Sequence, residues 1–273
     1  MRRKLIYARS PDWAEIAARA EDLISSAAFE PVKDETKTTA GFIALENGAS
    51  AFIKRFDRGS LTYGWWLRFR GSRARRSLRG AALLQAHGFG HPEPYAAVEL
   101  SSAGSIRAGY LISEPLRDAK TLSVSIDLRG RKRGAQAAWR RSVLAAVARE
   151  IRRLHEAGLF SSDLQETNLM IERSGGEPRI YFVDLDGFRH LGRVRQHRRE
   201  RNLVQLDRSI GRFLRRSARL RFLYDYLGTR PQRREARAIV ARLLERKRRE
   251  DRKRQARRAG ESACRSAPAS GPA

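Results

Sequence analysis

A chain of 273 residues with 41% hydrophobic side chains can bury one large core or two lobes of ordinary size, which leaves room for a globular enzyme. Its 57 Lys and Arg against 30 Asp and Glu give a net charge of +27, so some face must meet an acidic partner: nucleic acid, anionic lipid or a phosphorylated glycan. The lone cysteine, Cys264, excludes an intrachain disulfide framework and a multi-cysteine metal site and points to a reducing compartment, and no apolar run approaches the roughly 20 residues of a membrane span, so a soluble or peripheral protein is expected.

In chain order, Ser10-Pro11 is a cap and first helical residue, and Trp13, Ile16, Ala17, Ala20, Leu23 and Ile24 recur at helical spacing through Ser26. From Pro31 the texture turns to β. Strands over 38–45 and 50–56 flank Glu46-Asn47-Gly48, where Asn-Gly is a strong hairpin signal. The second of these ends A-F-I-K54. Residues 71–86 form a basic helix whose Arg73, Arg75, Arg76 and Arg79 read as a solvated face. Gly109-Tyr-Leu-Ile-Ser113 is a further strand, followed by Glu114-Pro115-Leu116. Residues 136–157 give the clearest helix, with Val143, Leu144, Val147, Ile151 and Leu154 on one stripe and Gly158 as its terminator.

Two acidic clusters follow. Asp163, Leu164 and Asn168 form D-L-x-x-x-N, running straight into the apolar Leu169, Met170 and Ile171; a second apolar run, 180–183, delivers Asp184. The turn between them, 174–178, closes a hairpin that presents Asp163, Asn168 and Asp184 from neighbouring ends. One carboxylate that accepts a hydroxyl proton, with an amide and a second carboxylate as hard oxygen ligands for Mg²⁺, suits phosphoryl transfer. Beyond Arg189 the chain is helical and very basic over 203–214, 220–227 and 231 to about 258. Residues 262–273, rich in Ser, Pro and Ala, read as disordered.

Taken together, I-K54, E-P-L at 114–116, L-H155-E-A-G158, D163-L-Q-E-T-N168, V-D184-L-D186 and S-A-R-L-R-F-L-Y-D-Y-L-G228 resemble the lipopolysaccharide core kinase family, the Kdo and heptose kinases of Gram-negative envelopes. The resemblance covers about 32–227. It implies an α+β, two-lobed protein-kinase-like fold, with a small β-rich lobe over 28–115 and a larger helical lobe over 116–245; outside it the residues themselves read as a helical extension at 1–27 and a basic, disordered tail at 246–273. It implies ATP with Mg²⁺, and as acceptor a sugar hydroxyl of the lipopolysaccharide inner core or another acidic glycan, at the cytoplasmic face of the inner membrane. Asp163 is then the base, Asn168 and Asp184 hold magnesium, and Lys54 meets the nucleotide phosphates. The loop at Lys37, Thr38 and Thr39 lies over those phosphates, the Glu114 carbonyl and Leu116 amide hold adenine, and His155 is structural. The basic tail tethers the protein to an anionic membrane, with nucleic acid a less favoured partner.

This sequence departs from the family pattern in two places. Ser161 stands where a loop histidine is usual, and the basic helix 71–86 carries no acid to pair with Lys54. Asp57 is on the opposite face of the strand from Lys54; the fold the resemblance implies brings Asp184 to the same phosphates from the other lobe, so Asp184 is the carboxylate expected to pair with Lys54. A catalytically inactive kinase-like protein, and a basic nucleic-acid or membrane-binding protein, are the competing readings. No A-P-E sequence follows Asp184, which favours a small-molecule or glycan acceptor over a protein.

Overall fold

A computed structural model describes residues 2–35, 38–45, 48–57, 71–102, 105–127 and 134–266, with side chains through residue 256. Lys37, Glu46 and Asn47 of the hairpin turn, and 267–273 of the tail lie outside the described residues.

The first layer is a six-stranded antiparallel sheet in the order β1-β5-β6-β4-β3-β2. Its strands are β1 (Arg2–Ala8), β2 (Phe29–Glu35), β3 (Thr38–Ala44), β4 (Ser50–Asp57), β5 (Pro94–Ser102) and β6 (Ser105–Ser113). Both of its faces are covered. Helices α1 (Pro11–Ala18) and α2 (Ala20–Ile24) set Ala17 and Ala20 against Ile43, Ile53, Val98 and Ile112. On the other face α3 (Arg73–Ala86) sets Ala74 against Phe56, Ala97 and Leu111. Period-two alternation along β4 therefore divides its side chains. Ala51 and Ile53 enter the first cluster, and Phe56 enters the second. Lys54, two residues before Phe56, belongs to the α3 face.

The helical extension expected at 1–27 is corrected here. Residues 2–8 are the edge strand β1, paired with β5 from Arg2↔Ser101 to Ala8↔Ala96, and the single helix expected over 11–26 is broken at Arg19. Arg2, Arg3 and Lys4 are exposed on this edge strand, where charged residues block further strand pairing.

The second layer is mainly helical. It contains β7 (Lys120–Thr121), α4 (Leu122–Ser125), α5 (Ala135–Glu156), β8 (Leu159–Ser161), β9 (Leu169–Ser174), β10 (Glu177–Phe182) and β11 (Phe188–His190). Helices α6 (Gln196–Ile210), α7 (Arg216–Leu227) and α8 (Arg233–Ser266) complete it. The stripe Val143, Leu144, Val147, Ile151 and Leu154 is buried as its spacing predicts, against Leu159, Leu169, Phe182, Leu206 and Leu223. The β9–β10 hairpin turns on Gly175-Gly176, both at positive φ, so the strands run longer than the sequence pattern suggested.

Residues 246–266 continue α8, past the helix end expected near 258 and in place of the disorder expected of a tail from 246. Its acids explain the helix: Glu250 and Asp251 accept Arg208 of α6 at 3.3 and 2.8 Å, Lys247 reaches Asp207 at 2.7 Å, and Arg246 pairs with Glu250 one turn on. Among the described residues no helix is long and apolar enough to cross a membrane. The largest cavity described, about 1060 Å³ between α6, α7 and α8, is lined by none of the site residues named from the sequence.

Helix α3 joins the layers. Ala74 packs under the sheet, whereas Ala81 and Leu84 belong to the second core with Leu185. The approach needs Gly80, where a Cβ would be built into the Leu185 carbonyl. Gly→Ala inside a helix ordinarily stabilises by about 1 kcal/mol. Gly80→Ala should do the reverse, losing about 1–3 kcal/mol through overpacking and displacing 185–187. Urea melts read the sign.

Candidate active site

The D-L-x-x-x-N segment leaves β8, is anchored in the core by Leu164, and re-enters β9 through a 3-10 turn at Glu166–Asn168. Both Asp163 carboxylate oxygens accept amide hydrogens. Gln165 Nε2 donates to Oδ1 at 2.5 Å and Asn168 Nδ2 to Oδ2 at 3.3 Å, with a further bond from Asn168 to the Asp163 carbonyl at 3.0 Å. These bonds fix the carboxylate as an acceptor. They engage only the Nδ2 of Asn168, and its Oδ1 has no protein partner among the described residues.

Ser161, in the place of the usual histidine, accepts the Asp163 backbone N–H on its hydroxyl at 3.3 Å. The rest of the bracing comes from α6, which the sequence reading missed. Asn202 donates to the Ser161 carbonyl at 2.8 Å; Gln205 donates to the Ser162 carbonyl at 2.8 Å and accepts from the Leu164 N–H at 3.4 Å. Behind them His155, 1% exposed, lies 3.0 Å from Asn202 Oδ1 and 2.9 Å from the Tyr226 hydroxyl. Because Asn202 Nδ2 is engaged by Ser161 and Gln205, its Oδ1 must accept, so His155 carries its proton on Nε2 and accepts the Tyr226 hydroxyl on Nδ1. Burial pushes His155 down to about 4 against the opposing pull of the Asn202 bond. It is a structural neutral imidazole, as its place before the loop suggested.

Asp184 follows β10 in a left-handed conformation, φ 57° and ψ 59°, which for a non-glycine residue costs about 1 kcal/mol. The Val183 N–H donates to the Asn168 carbonyl at 3.0 Å, so the two candidate metal ligands share one backbone junction. Lys54 Nζ meets Asp184 Oδ1 at 2.6 Å, with both side chains about one-fifth exposed. Arg73 adds a second cation, its Nη2 3.6 Å from Asp184 and its Nε 2.8 Å from Asp186, and Arg76 reaches Asp186 at 3.4 Å. The basic helix is therefore not merely a solvated face: its first residue enters the cleft. Burial would raise the Asp184 pKa, but Lys54 first and Arg73 after it hold the carboxyl below its ordinary range.

The structure brings Thr38 to this cluster, its hydroxyl 3.3 Å from Arg73 Nη1, and turns Thr39 away to donate to Asp34 at 3.1 Å. Strand alternation accounts for the difference, since β3 begins at Thr38 and adjacent side chains take opposite faces. At the hinge, the Glu114 N–H donates to the Glu93 carbonyl at 2.8 Å. The Glu114 carbonyl and Leu116 N–H have no protein partner among the described residues, as an adenine-binding edge requires. Asp186 and Arg73 had a signal in the sequence, the second acid of D-L-D and the first cation of an acid-free helix. Asn202 and Gln205 had a weaker one, two amides on a helix face that otherwise buries Val204 and Leu206.

Two outcomes follow from these contacts. The unfolded imidazole of His155 protonates near 6.5 and the buried one at about 4, so between those values the unfolded state binds more protons and stability falls as the pH drops. This group should cost about 3 kcal/mol of stability from pH 6.5 to 4, read from urea melts beside an NMR titration of the ring; titration near 6.5 would contradict the assignment. Lys54→Met and Asp184→Asn should be coupled by about 0.5–3 kcal/mol in nucleotide-free stability. Additive effects would show that the pair is not an energetic unit.

The sequence model of the lipopolysaccharide kinase (Kdo/WaaP) family matches residues 53–226, a span that holds Lys54, Glu114, Leu116, Asp163, Asn168 and Asp184. No curated protein matches the chain. A solved structure described as WaaP in complex with acyl carrier protein covers 93% of this chain and 99% of its own, with a TM-score of 0.62 at 22% sequence identity. That likeness carries the two-lobed, kinase-like α+β fold, while the family match spans well over half of the sequence: the chain belongs to the lipopolysaccharide kinase (Kdo/WaaP) family.

Proposed function

We propose that this kinase transfers the γ-phosphate of ATP to a sugar hydroxyl of the lipopolysaccharide inner core, on Kdo or heptose. Family membership makes it a lipopolysaccharide kinase. The observation that favours an active kinase over an inactive relative is the 2.6 Å contact between Lys54 and Asp184; the acceptor sugar rests on the family. An inactive relative with no use for its lysine would leave that ammonium free to turn to solvent; here it is held in the cleft against the carboxylate.

In this reading Asp163 takes the proton of the acceptor hydroxyl as its oxygen attacks the γ-phosphorus and the nucleoside diphosphate leaves. Its two amide bonds keep the carboxylate oriented for that transfer. Asn168 Oδ1 and Asp184 would hold Mg²⁺, which would supply positive charge against the phosphates. Two protein donors leave the rest of its shell to phosphate oxygens and water, the way magnesium is usually held at such sites. Lys54 binds the phosphates, and the Glu114 carbonyl and Leu116 amide receive adenine. The reading places the enzyme at the cytoplasmic face of the inner membrane, with its basic tail as the expected tether to anionic headgroups.

Asp163→Asn should lower turnover by roughly 10² to 10⁴ and leave nucleotide affinity within a few fold. Asp184→Asn should weaken Mg·ATP binding instead. Wild-type turnover in both variants would displace the site. Mass spectrometry of core oligosaccharide from cells with and without the protein should show loss of phosphate from an inner-core sugar; an unchanged core would remove the acceptor from this account.

A further inference from the structure

Beside the catalytic loop lies a second cavity, about 660 Å³, between α6 and α8. Its size is in the range of pockets that hold a compact ligand. Arg201, Arg242, Arg246, Arg249, Lys253 and Arg254 line it against only three carboxylates, Glu200, Glu245 and Glu250. Two of those acids are already engaged, Glu200 with Arg242 at 3.5 Å and Glu250 with Arg246 at 3.1 Å and with Arg208 from outside the groove. Arg249, Lys253 and Arg254 make no ion pair or hydrogen bond among the described residues, so the positive charge at this end of the groove is uncompensated.

The groove also reaches the chemistry. Gln205 lines it and at the same time holds the Ser162 carbonyl at 2.8 Å and the Leu164 N–H at 3.4 Å, the two residues that flank Asp163. Arg201, on the same wall, donates to the Ser162 carbonyl at 3.4 Å. A ligand lying along α6 and α8 would therefore end within a residue of the candidate base.

We propose that this groove is the acceptor-binding site and that it takes a polyanionic glycan, whose phosphates or carboxylates sit on Arg249, Lys253 and Arg254 while a neutral hydroxyl is presented at Asp163. The assignment rests on the glycan-kinase reading above. Guanidinium forks match phosphate and carboxylate oxygens in pairs, which orients a ligand as well as attracting it. A single-stranded nucleic acid would call for aromatic platforms, and the lining contains no aromatic ring.

The test is Arg249→Gln, Lys253→Gln and Arg254→Gln combined in the full chain. All three side chains are exposed, so a thermal melt should match wild type. Calorimetric affinity for deacylated, phosphorylated inner-core oligosaccharide should fall at least about tenfold, with Mg·ATP affinity within about twofold, and wild type should bind the enzymatically dephosphorylated oligosaccharide correspondingly less tightly. Equal binding of the phosphorylated oligosaccharide by variant and wild type would overturn the groove while leaving the kinase reading intact. Should wild type neither bind nor phosphorylate the oligosaccharide, the kinase reading fails and takes the groove's occupant with it. A variant that loses only its binding to anionic phosphatidylglycerol vesicles would make the surface a membrane contact and overturn the proposal.

Discussion

Lys54 and Asp184 are 130 positions apart in the sequence and 2.6 Å apart in space, and much of the architecture is arranged around that contact. Lysine comes from an interior strand of the sheet, aspartate from the far end of the β9–β10 hairpin, so the pair closes the two layers on each other. Removing one partner of a fully buried pair costs about 3–5 kcal/mol. With both side chains about one-fifth exposed, solvent screening brings this one below that range. Arg73 alters the balance further, because Asp184 keeps a counter-charge when Lys54 withdraws. A ligand that brings its own negative charge can therefore draw the ammonium away without leaving the carboxylate bare.

The remaining contacts hold that junction in place from both sides. Helix α3 delivers Arg73 and Arg76 to Asp186 and packs so closely, through Gly80, that the segment 185–187 cannot move without the helix. From below, the chain Tyr226–His155–Asn202–Ser161, with Gln205 beside it, fixes the loop that carries Asp163. The side chains of this chain of contacts are neutral; the charged groups beside it are Arg199 on the His155 carbonyl at 3.3 Å and Arg201 on the Ser162 carbonyl at 3.4 Å. The usual loop histidine is thus not missed, because its bracing is divided between the Ser161 hydroxyl and two amides from α6.

Local patterns carried most of what could be read from the sequence. D-L-x-x-x-N, the hairpin and the final Asp184 lie within one short stretch, and their spacing alone sets them side by side. Strand alternation removed Asp57 as a partner of Lys54, sending it to the other face, where it pairs with Arg55 at 2.7 Å; that Asp184 takes its place was legible only through the fold the resemblance implied. Nonlocal and strongly charged features were not legible. The charged run 2–8 becomes a strand only with β5 beside it, and α8 runs on to Ser266, past the helix end expected near 258. Arg73 on an acid-free helix has the appearance of solvated surface, and only the fold shows that the helix begins at the cleft.

The central claim is that nucleotide replaces this ion pair, with Lys54 passing from Asp184 to phosphate and Asp184 from Lys54 to metal. A crystal structure with Mg²⁺ and a non-hydrolysable ATP analogue tests it most directly. The account predicts the Lys54 ammonium on a phosphate oxygen, Asp184 and the Asn168 Oδ1 on the metal, and Arg73 still on Asp186. Nucleotide bound elsewhere while Lys54 and Asp184 remain in contact would contradict it.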